Sequence, residues 1–305
     1  MSELSIPSFL KKGDTVAIVA PAGSVKTENI EPAITILKQN YKTIKGKYLY
    51  TNNTGFSASD QQRLEDLNNA IQNPVIKAIF CARGGYGISR IIDHIDFESL
   101  QQKPKWIIGL SDITSLLHAV NQFSGLASMH ALMPNSFCSS EKSKIGIEAL
   151  LELLQGDSLQ YYIEKNKHNK QGEASATITG GNLSVICSLL GTQYEIDTRD
   201  KILFIEDIAE SLYKIDRMMN QLRLAGKLQH IKGLIVGQFT NCLPDQYYDS
   251  LAEMISPYIE HLDIPVCFDF KAGHIDNTAA FIFGQKIHFD LHKNGGFLNF
   301  NTSIF

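Results

Sequence analysis

The sequence lacks the features that mark exported, membrane-spanning and nucleic-acid-binding proteins. Its first residues, MSELSIPSFLKKGDTVAIVAPAG, contain no basic segment ahead of a long apolar run, so we expect no signal peptide and a cytoplasmic location. No apolar run approaches the roughly 20 residues that a membrane-spanning helix needs, which predicts no membrane partner. The net charge is only −4 in 305 residues, so no basic excess indicates a nucleic-acid partner.

Cysteine pairs and metal-ligand motifs are also absent. The five cysteines are scattered, odd in number and free of any Cys-x-x-Cys spacing, and we expect reduced thiols in a reducing compartment. The sequence contains no His-Glu-x-x-His motif, no His-x-His pair and no cysteine–histidine cluster. We therefore expect neither a metal nor another cofactor.

The first half of the chain alternates apolar strands with amphipathic helices. Hydrophobic residues make up 44% of the chain and charged residues 20%, a balance typical of globular proteins. Strands that alternate with single helices predict an α/β fold with a parallel sheet, of the flavodoxin-like or glutamine-amidotransferase-like type. The predicted strands include residues 16–20, 76–82 and 105–110, and the predicted helices include residues 28–39, 58–72 and 111–122.

The pattern changes after a polar, irregular stretch at residues 156–172. Turns and short strands become more frequent, for example at residues 279–283 and 286–290, which predicts a smaller C-terminal α/β domain with a mixed sheet. We therefore expect an N-terminal domain over residues 1–160, a linker over 161–172 and a C-terminal domain over 173–305.

Ser111 lies where a predicted strand ends and a helix begins. The carboxyl edge of a parallel sheet is where such folds bind ligands, so Ser111 is a candidate nucleophile and the backbone N–H of Asp112 a candidate oxyanion donor. Serine is also a preferred residue at the start of a helix, and Ser111 as a simple N-cap is the alternative. The surrounding Gly-Leu-Ser-Asp-Ile does not match the Gly-x-Ser-x-Gly motif of α/β-hydrolases.

A glycine loop, Arg-Gly-Gly-Tyr-Gly, follows the strand that ends near residue 82. Glycines allow the backbone to approach a ligand, so the N–H of Gly84 or Gly85 is a second candidate oxyanion donor. Arg83 is a candidate for binding a substrate carboxylate, and the helix that begins near Ser111 is another. A tight strand-to-helix turn without function is the alternative for the whole loop.

Two further segments carry groups suited to proton transfer. Glu206 and Asp207 follow an apolar strand, where a carboxylate could orient a histidine, although either could instead cap the next helix. His274 lies in a turn after a glycine, and a loop histidine can titrate near neutral pH and transfer protons. A surface turn with no catalytic role is the alternative for His274.

Taken together, these segments resemble the LD-carboxypeptidase family of serine peptidases, also called muramoyltetrapeptide carboxypeptidases. No single segment is specific to the family, but the order of all these segments along most of the chain is specific to it. One departure is Leu110, where the family often has tyrosine. The matching segments are GDTVAIVAPAG at 13–23, ARGGYG at 82–87, GLSDIT at 109–114, TGGNL at 179–183, FIEDI at 204–208 and GH at 273–274.

The resemblance implies a Ser–Glu–His triad formed by Ser111, Glu206 and His274, with an active site between two domains. It further implies a homodimer that removes the terminal D-alanine from a murein tetrapeptide or muropeptide during cell-wall recycling in the cytoplasm.

Two alternative functions remain: hydrolysis of a different substrate, and binding without catalysis. Relatives within the family hydrolyse acyl-nucleotide antibiotics of the microcin type and are expected to stack a nucleobase on an aromatic residue between nucleophile and glutamate. The single tryptophan, Trp106, precedes Ser111, which leaves Tyr161 and Tyr162 as conceivable substitutes. A non-catalytic two-domain module that binds a peptide or sugar is the other alternative, and it should tolerate Ser111→Ala.

Overall fold

The computed structural model describes residues 4–138 and 140–300, and within them helices and strands alternate as an α/β fold requires. The strands are β1 (Thr15–Val19), β2 (Lys42–Lys45), β3 (Ile76–Cys81), β4 (Trp106–Gly109), β5 (Ser128–His130), β6 (Leu159–Ile163), β7 (Gly172–Asn182), β8 (Ile202–Ile208), β9 (Gly233–Thr240), β10 (Val266–Cys267), β11 (Phe281–Phe283), β12 (Lys286–His292) and β13 (Gly295–Phe300). The α-helices are α1 (Thr27–Leu37), α2 (Asp60–Gln72), α3 (Phe97–Gln102), α4 (Ile113–Ala119), α5 (Glu141–Gln155), α6 (Leu183–Ser188), α7 (Leu212–Leu224) and α8 (Leu251–Ile259).

The described strands form two sheets. The first has the order β11-β5-β4-β3-β1-β2, and its neighbours are parallel except for β11, which pairs antiparallel with β5. The residues of β3 and β4 are buried almost throughout, as expected for strands covered by helices on both faces. The parallel sheet predicted for the first half of the chain is confirmed.

The second sheet is mixed, as predicted. Its order is β10-β9-β8-β7-β12-β13-β6, in which β10 to β7 are parallel and β7 to β6 are antiparallel. Helices α6, α7 and α8 contribute their apolar faces to a core that includes Leu203, Ile205 and Val236 of the parallel strands. This packing fixes the carboxyl ends of β8 and β9, where the chain then turns into loops.

Two local predictions were wrong. The stretch 156–172 is not irregular throughout, because β6 forms within it and pairs with β13 at the edge of the second sheet. Its sequence LQYYI alternates in burial, but the polar residues around it obscured that period. The strand predicted at residues 279–283 is present as β11, but its assignment to the C-terminal domain was wrong, because it pairs with β5 in the first sheet. Local periodicity does not encode which strand a segment pairs with.

By internal contacts the chain divides into two compact units. The first runs to Asp157 and also takes up Ala280–Gly284, whereas the second holds Ser158–Ala279 and the chain from Gln285 onward. Within the described residues, no helix is long and apolar enough to cross a membrane.

Candidate active site

Ser111 lies in a strained turn at the carboxyl end of β4. Its backbone φ is +64°, a left-handed conformation that serine seldom adopts and that costs on the order of 1–3 kcal/mol. Helix α4 begins only at Ile113, and the residue at its N-cap position is Asp112, not Ser111. The N-cap alternative is therefore wrong, and backbone strain at a residue with a reactive side chain is typical of a functional site.

The glycine loop after β3 packs directly against this turn. A Cβ on Gly84 would lie 2.6 Å from Ser111 Cβ, 2.8 Å from its Oγ and 3.3 Å from the Asp112 nitrogen, so only glycine allows the approach. On its other side, the Gly84 carbonyl accepts the N–H of Gly23 at 2.9 Å. In the described part of the chain, the N–H groups of Gly84, Gly85 and Asp112 donate to no protein acceptor.

The Asp112 side chain ties the two loops together. Its Oδ2 accepts the N–H of Ile88 at 2.9 Å, just beyond the glycine loop. Burial raises the pKa of Asp112 to about 6, although the Ile88 and Gly87 amides and the nearby Arg63 charge act to lower it. The carboxylate therefore positions the loop, while the candidate oxyanion donor of this residue is its backbone N–H.

Glu206 and His274 form a hydrogen-bonded pair in the second unit. Nδ1 of His274 lies 2.7 Å from Oε2 of Glu206, a side chain that is completely buried. A carboxylate can only accept, so the imidazole donates from Nδ1 and presents Nε2 as its basic nitrogen. Nε2 has no hydrogen-bond partner among residues 4–138 and 140–300. The two segments that the sequence singled out separately are thus brought together.

Hydrogen bonds between two threonine hydroxyls and backbone groups hold the loop that carries His274. Gly273 has φ +128°, and a Cβ there would lie 3.0 Å from both Cβ and Oε2 of Glu206. The Gly273 N–H donates to Thr278 Oγ1 at 2.9 Å, and Thr240 Oγ1 donates to the His274 carbonyl at 3.1 Å. Glycine at position 273 therefore allows the loop backbone to approach Glu206 closely. The hydrogen bonds also fix the backbone from which the His274 imidazole extends.

The pKa of His274 reflects opposing effects. Burial acts to lower the pKa, but the hydrogen bond to Glu206 and the negative charges of Glu206 and Asp207 outweigh it, and the pKa is raised above its ordinary value. A histidine with this arrangement can accept a proton at neutral pH and hold the resulting cation beside a buried carboxylate.

Comparison with known protein families assigns both halves of the chain. The description "LD-carboxypeptidase N-terminal domain" matches residues 16–131, which include Ser111, and "LD-carboxypeptidase C-terminal domain" matches residues 175–289, which include Glu206 and His274. The chain belongs to the LD-carboxypeptidase family. The resemblance inferred from the sequence is confirmed, and the protein is a serine-type carboxypeptidase, a hydrolase.

Curated relatives cover nearly the whole chain. A probable murein peptide carboxypeptidase of Bacillus subtilis is 36% identical over 286 residues, which cover 92% of this chain and 90% of the relative. A murein tetrapeptide carboxypeptidase of Pseudomonas aeruginosa is 28% identical over 88% of this chain and 91% of its own length.

Solved structures agree on the fold. A muramoyltetrapeptide carboxypeptidase from Oxalobacter formigenes superimposes with a TM-score of 0.85 at 28% identity and covers 94% of this chain and 98% of that chain. The microcin C7 self-immunity protein MccF superimposes with a TM-score of 0.87 at 20% identity, with 98% of both chains covered, and supports the fold alone.

The adjacent acids Glu206 and Asp207 have different roles in this carboxypeptidase. Neither acid caps α7, because that helix begins at Leu212 after Ser211. Asp207 instead accepts the N–H of Ser184 at 2.8 Å and the Nδ2–H of Asn182 at 3.0 Å, at the start of α6. Burial raises the pKa of Asp207 to about 6. Asp207 therefore anchors the neighbouring segment and leaves Glu206 to face the histidine.

Sequence reasoning missed Arg63, a fully buried cation below the glycine loop of the carboxypeptidase. Its Nη1 donates to the carbonyls of Pro21 and Gly87, the latter at 3.0 Å, and its Nη2 donates to Asp60 at 2.5 Å. The available signal was its helical position, since Arg63 lies on the same face of α2 as the buried Leu67. Arg63 thus links the loops that follow β1 and β3.

Arg83 is exposed, and its Nη1 donates to the Ser24 carbonyl at 2.9 Å. In the part of the chain that the structure describes, no group of three or more His, Cys, Asp or Glu side chains is arranged to hold a metal ion.

Proposed function

We propose that this carboxypeptidase hydrolyses the bond between the L-diamino acid and the terminal D-alanine of murein tetrapeptides. Ser111 is the nucleophile, His274 the general base and acid, and Glu206 the residue that orients the imidazole. The observation that carries the proposal is the 2.7 Å hydrogen bond between the partly exposed His274 and the buried Glu206, which leaves Nε2 available for proton transfer. The names of the Bacillus and Pseudomonas relatives support the substrate class.

In the first half of the reaction, His274 Nε2 takes the proton of the Ser111 hydroxyl while Oγ attacks the scissile carbonyl carbon. The histidine cation then gives its proton to the amine of D-alanine, the C–N bond breaks, and an acyl-serine ester remains. In the second half, His274 deprotonates a water that attacks the ester, and the proton returns to Ser111 as the shortened peptide leaves. The proposal requires His274 to reach the Ser111 hydroxyl in the active protein.

The backbone N–H of Asp112 and that of Gly84 or Gly85 stabilise the oxyanion. Gly84 and Asp112 are buried, and their N–H groups have no protein acceptor within residues 4–138 and 140–300, which supports the assignment because buried N–H groups are normally paired. Loss of one such donor typically lowers turnover about 100- to 1000-fold.

Hydrolysis of acyl-nucleotides is the second candidate, favoured only by structural likeness to MccF. Of the two tyrosines that could have replaced a stacking tryptophan, Tyr161 argues against it, because its ring is already packed on two others. Tyr161 packs edge-to-face on Phe270 and Phe300, and Tyr162 pairs with Phe297, both within strand β6. The binding-module alternative loses its support because the chain belongs to a family of hydrolases.

We also propose a cytoplasmic homodimer, as the family resemblance implies. Light scattering on the purified full-length protein gives the mass in solution, and a monomer at all concentrations contradicts the dimer. Fractionation of cells that express the chain tests the location.

The substrate is tested by a direct comparison. The purified protein is incubated with an L-Ala-γ-D-Glu-diamino-acid-D-Ala tetrapeptide and, separately, with an aspartyl sulfamoyl adenosine, and the products are quantified by mass spectrometry. We expect release of D-alanine and no cleavage of the nucleotide. Cleavage of the nucleotide alone contradicts the proposal and supports the second candidate.

A further inference from the structure

A polar pocket in the first unit lies beside the glycine loop. We call it the Arg83 pocket. Its polar lining residues are Ser24, Lys26, Asn29, Asn52, Arg83 and Asn135. They come from the loop after β1, the start of α1, the loop before α2 and the segments after β3 and β5, so several carboxyl ends of the first sheet converge there. Such a convergence is where open α/β sheets bind ligands.

The chemistry of the Arg83 pocket favours an anion. Among the described residues, its lining contains two cations and three neutral amides but no carboxylate. Lys26 lies 4.0 Å from Glu28, yet both side chains are largely exposed, so the pair contributes little. Arg83 uses Nη1 on the Ser24 carbonyl, and within the described residues its guanidinium makes no other hydrogen bond, which leaves donors for a two-pronged contact with a carboxylate.

The pocket is also adjacent to the proposed nucleophile. Arg83 immediately precedes Gly84, whose missing Cβ would lie 2.8 Å from Ser111 Oγ. Asn135 is fixed to the same place, because its N–H donates to the Ala82 carbonyl at 2.9 Å and its Oδ1 accepts from Asn29 at 3.3 Å. The backbone of Arg83 is therefore one residue from the glycine that contacts the proposed nucleophile.

We propose that the Arg83 pocket binds the free α-carboxylate of the substrate's last residue and thereby restricts the enzyme to removal of a single C-terminal amino acid. The inference rests on the proposed function. In the substrate, only the nitrogen and Cα of alanine separate the terminal carboxyl carbon from the scissile carbonyl. The α-carboxylate of the γ-linked D-glutamate lies beyond the whole diamino acid, so the terminal carboxylate matches the short separation better.

The test compares four tetrapeptides as substrates of the wild type. They carry either D-alanine or D-alaninamide at the end, combined with either D-glutamate or its α-amide. We expect kcat/KM to be about 10- to 100-fold higher for the terminal acid than for the terminal amide, the range for losing a charged hydrogen bond. Amidation of the glutamate is expected to change kcat/KM far less.

Three variants separate the pocket from general effects. Arg83→Gln is expected to reduce the preference for the terminal acid towards one. Asn29→Asp places a negative charge in the pocket at a helix start that tolerates acids, and it is expected to lower the preference as well. Lys77→Gln removes a charge at the opposite end of β3, outside the pocket, and should keep the wild-type preference.

The outcomes are distinguishable. If the wild type cleaves terminal acid and amide equally well, or if both pocket variants keep the preference, the inference is wrong and the proposed function stands. A preference that follows the glutamate carboxylate instead also overturns it. Cleavage of none of the four peptides by folded protein contradicts the proposed function and the inference together.

Discussion

At the scale of single residues, the candidate site depends on how closely backbone atoms approach Ser111 and Glu206. Gly84 and Gly273 are required by close contacts with these two side chains, and the sequence indicated both positions as glycines beside candidate groups. The left-handed turn at Ser111 was not predictable, because serine usually adopts other conformations and the adjoining helix made an N-cap a simpler interpretation.

Gly84→Ala should lower turnover while the fold persists. The new Cβ would lie 2.8 Å from Ser111 Oγ and must displace the hydroxyl or the loop, and a displacement of about 1 Å can reduce turnover roughly 100-fold. Gly125→Ala is the control. Its new Cβ would have no atom within 4 Å, but its φ of +64° strains alanine as well. It should lower the melting temperature and leave turnover intact. Unchanged turnover in Gly84→Ala contradicts the close approach.

The pH dependence of kcat/KM should report His274. Only the neutral imidazole can take the serine proton, and its pKa is raised, so kcat/KM should fall as the pH drops through a value above the usual pKa of about 6.5. In Glu206→Gln the raising interactions with Glu206 are lost and burial acts against the cation, so this acidic limb should move to lower pH.

The same Glu206→Gln variant should also lose turnover, by up to about 10⁴-fold, because the amide no longer selects the tautomer with Nδ1–H. Both effects are measured from rate profiles between pH 5 and 9, a range chosen around the usual histidine pKa of about 6.5. An unshifted limb in Glu206→Gln would show that another group titrates.

At the scale of elements, the loops after β1, β3 and β4 are held together by two buried charged side chains. Arg63 joins the first two loops through Pro21 and Gly87, and Asp112 joins the second to the third through Ile88. The strands and helices behind these loops were predictable from apolar periodicity. Contacts between loops were not, because they depend on the order of strands in the sheet, which local periodicity does not contain.

Arg63→Met should destabilise the protein. The carbonyls of Pro21 and Gly87 would lose their donor while buried, and each unpaired group costs about 1–3 kcal/mol. We expect the free energy of unfolding in urea to fall by at least about 2 kcal/mol. Arg90→Met is the matched control, because Arg90 is an exposed partner of the same Asp60 and should change stability by less than about 1 kcal/mol. Equal effects of the two substitutions would contradict the linking role.

At the scale of the whole molecule, each sheet collects strands from distant parts of the sequence. The alternation of apolar strands with helices, and the short strands of the second half, predicted the α/β fold with one parallel and one mixed sheet. They did not indicate that β11, far along the chain, closes the edge of the first sheet beside β5. Phe283 of that strand stacks on the buried His118 and lies against His130.

Phe283→Ala should therefore weaken the first sheet. Loss of a buried phenylalanine typically lowers the free energy of unfolding by about 3–5 kcal/mol, and we expect faster hydrogen exchange at the amides of β5 and β11. Phe297→Ala is the control, because that ring is 41% exposed on β13. Unchanged exchange in β5 would show that β11 does not stabilise the sheet.

The measurement that tests the central claim most directly is the release of D-alanine from the murein tetrapeptide by the wild type and by Ser111→Ala. Ser111 is not the N-cap residue of α4, so removal of its hydroxyl should leave the melting temperature nearly unchanged. We expect release by the wild type and a loss of nearly all turnover in the variant. Equal release by both proteins would contradict Ser111 as the nucleophile, and with it the proposed triad.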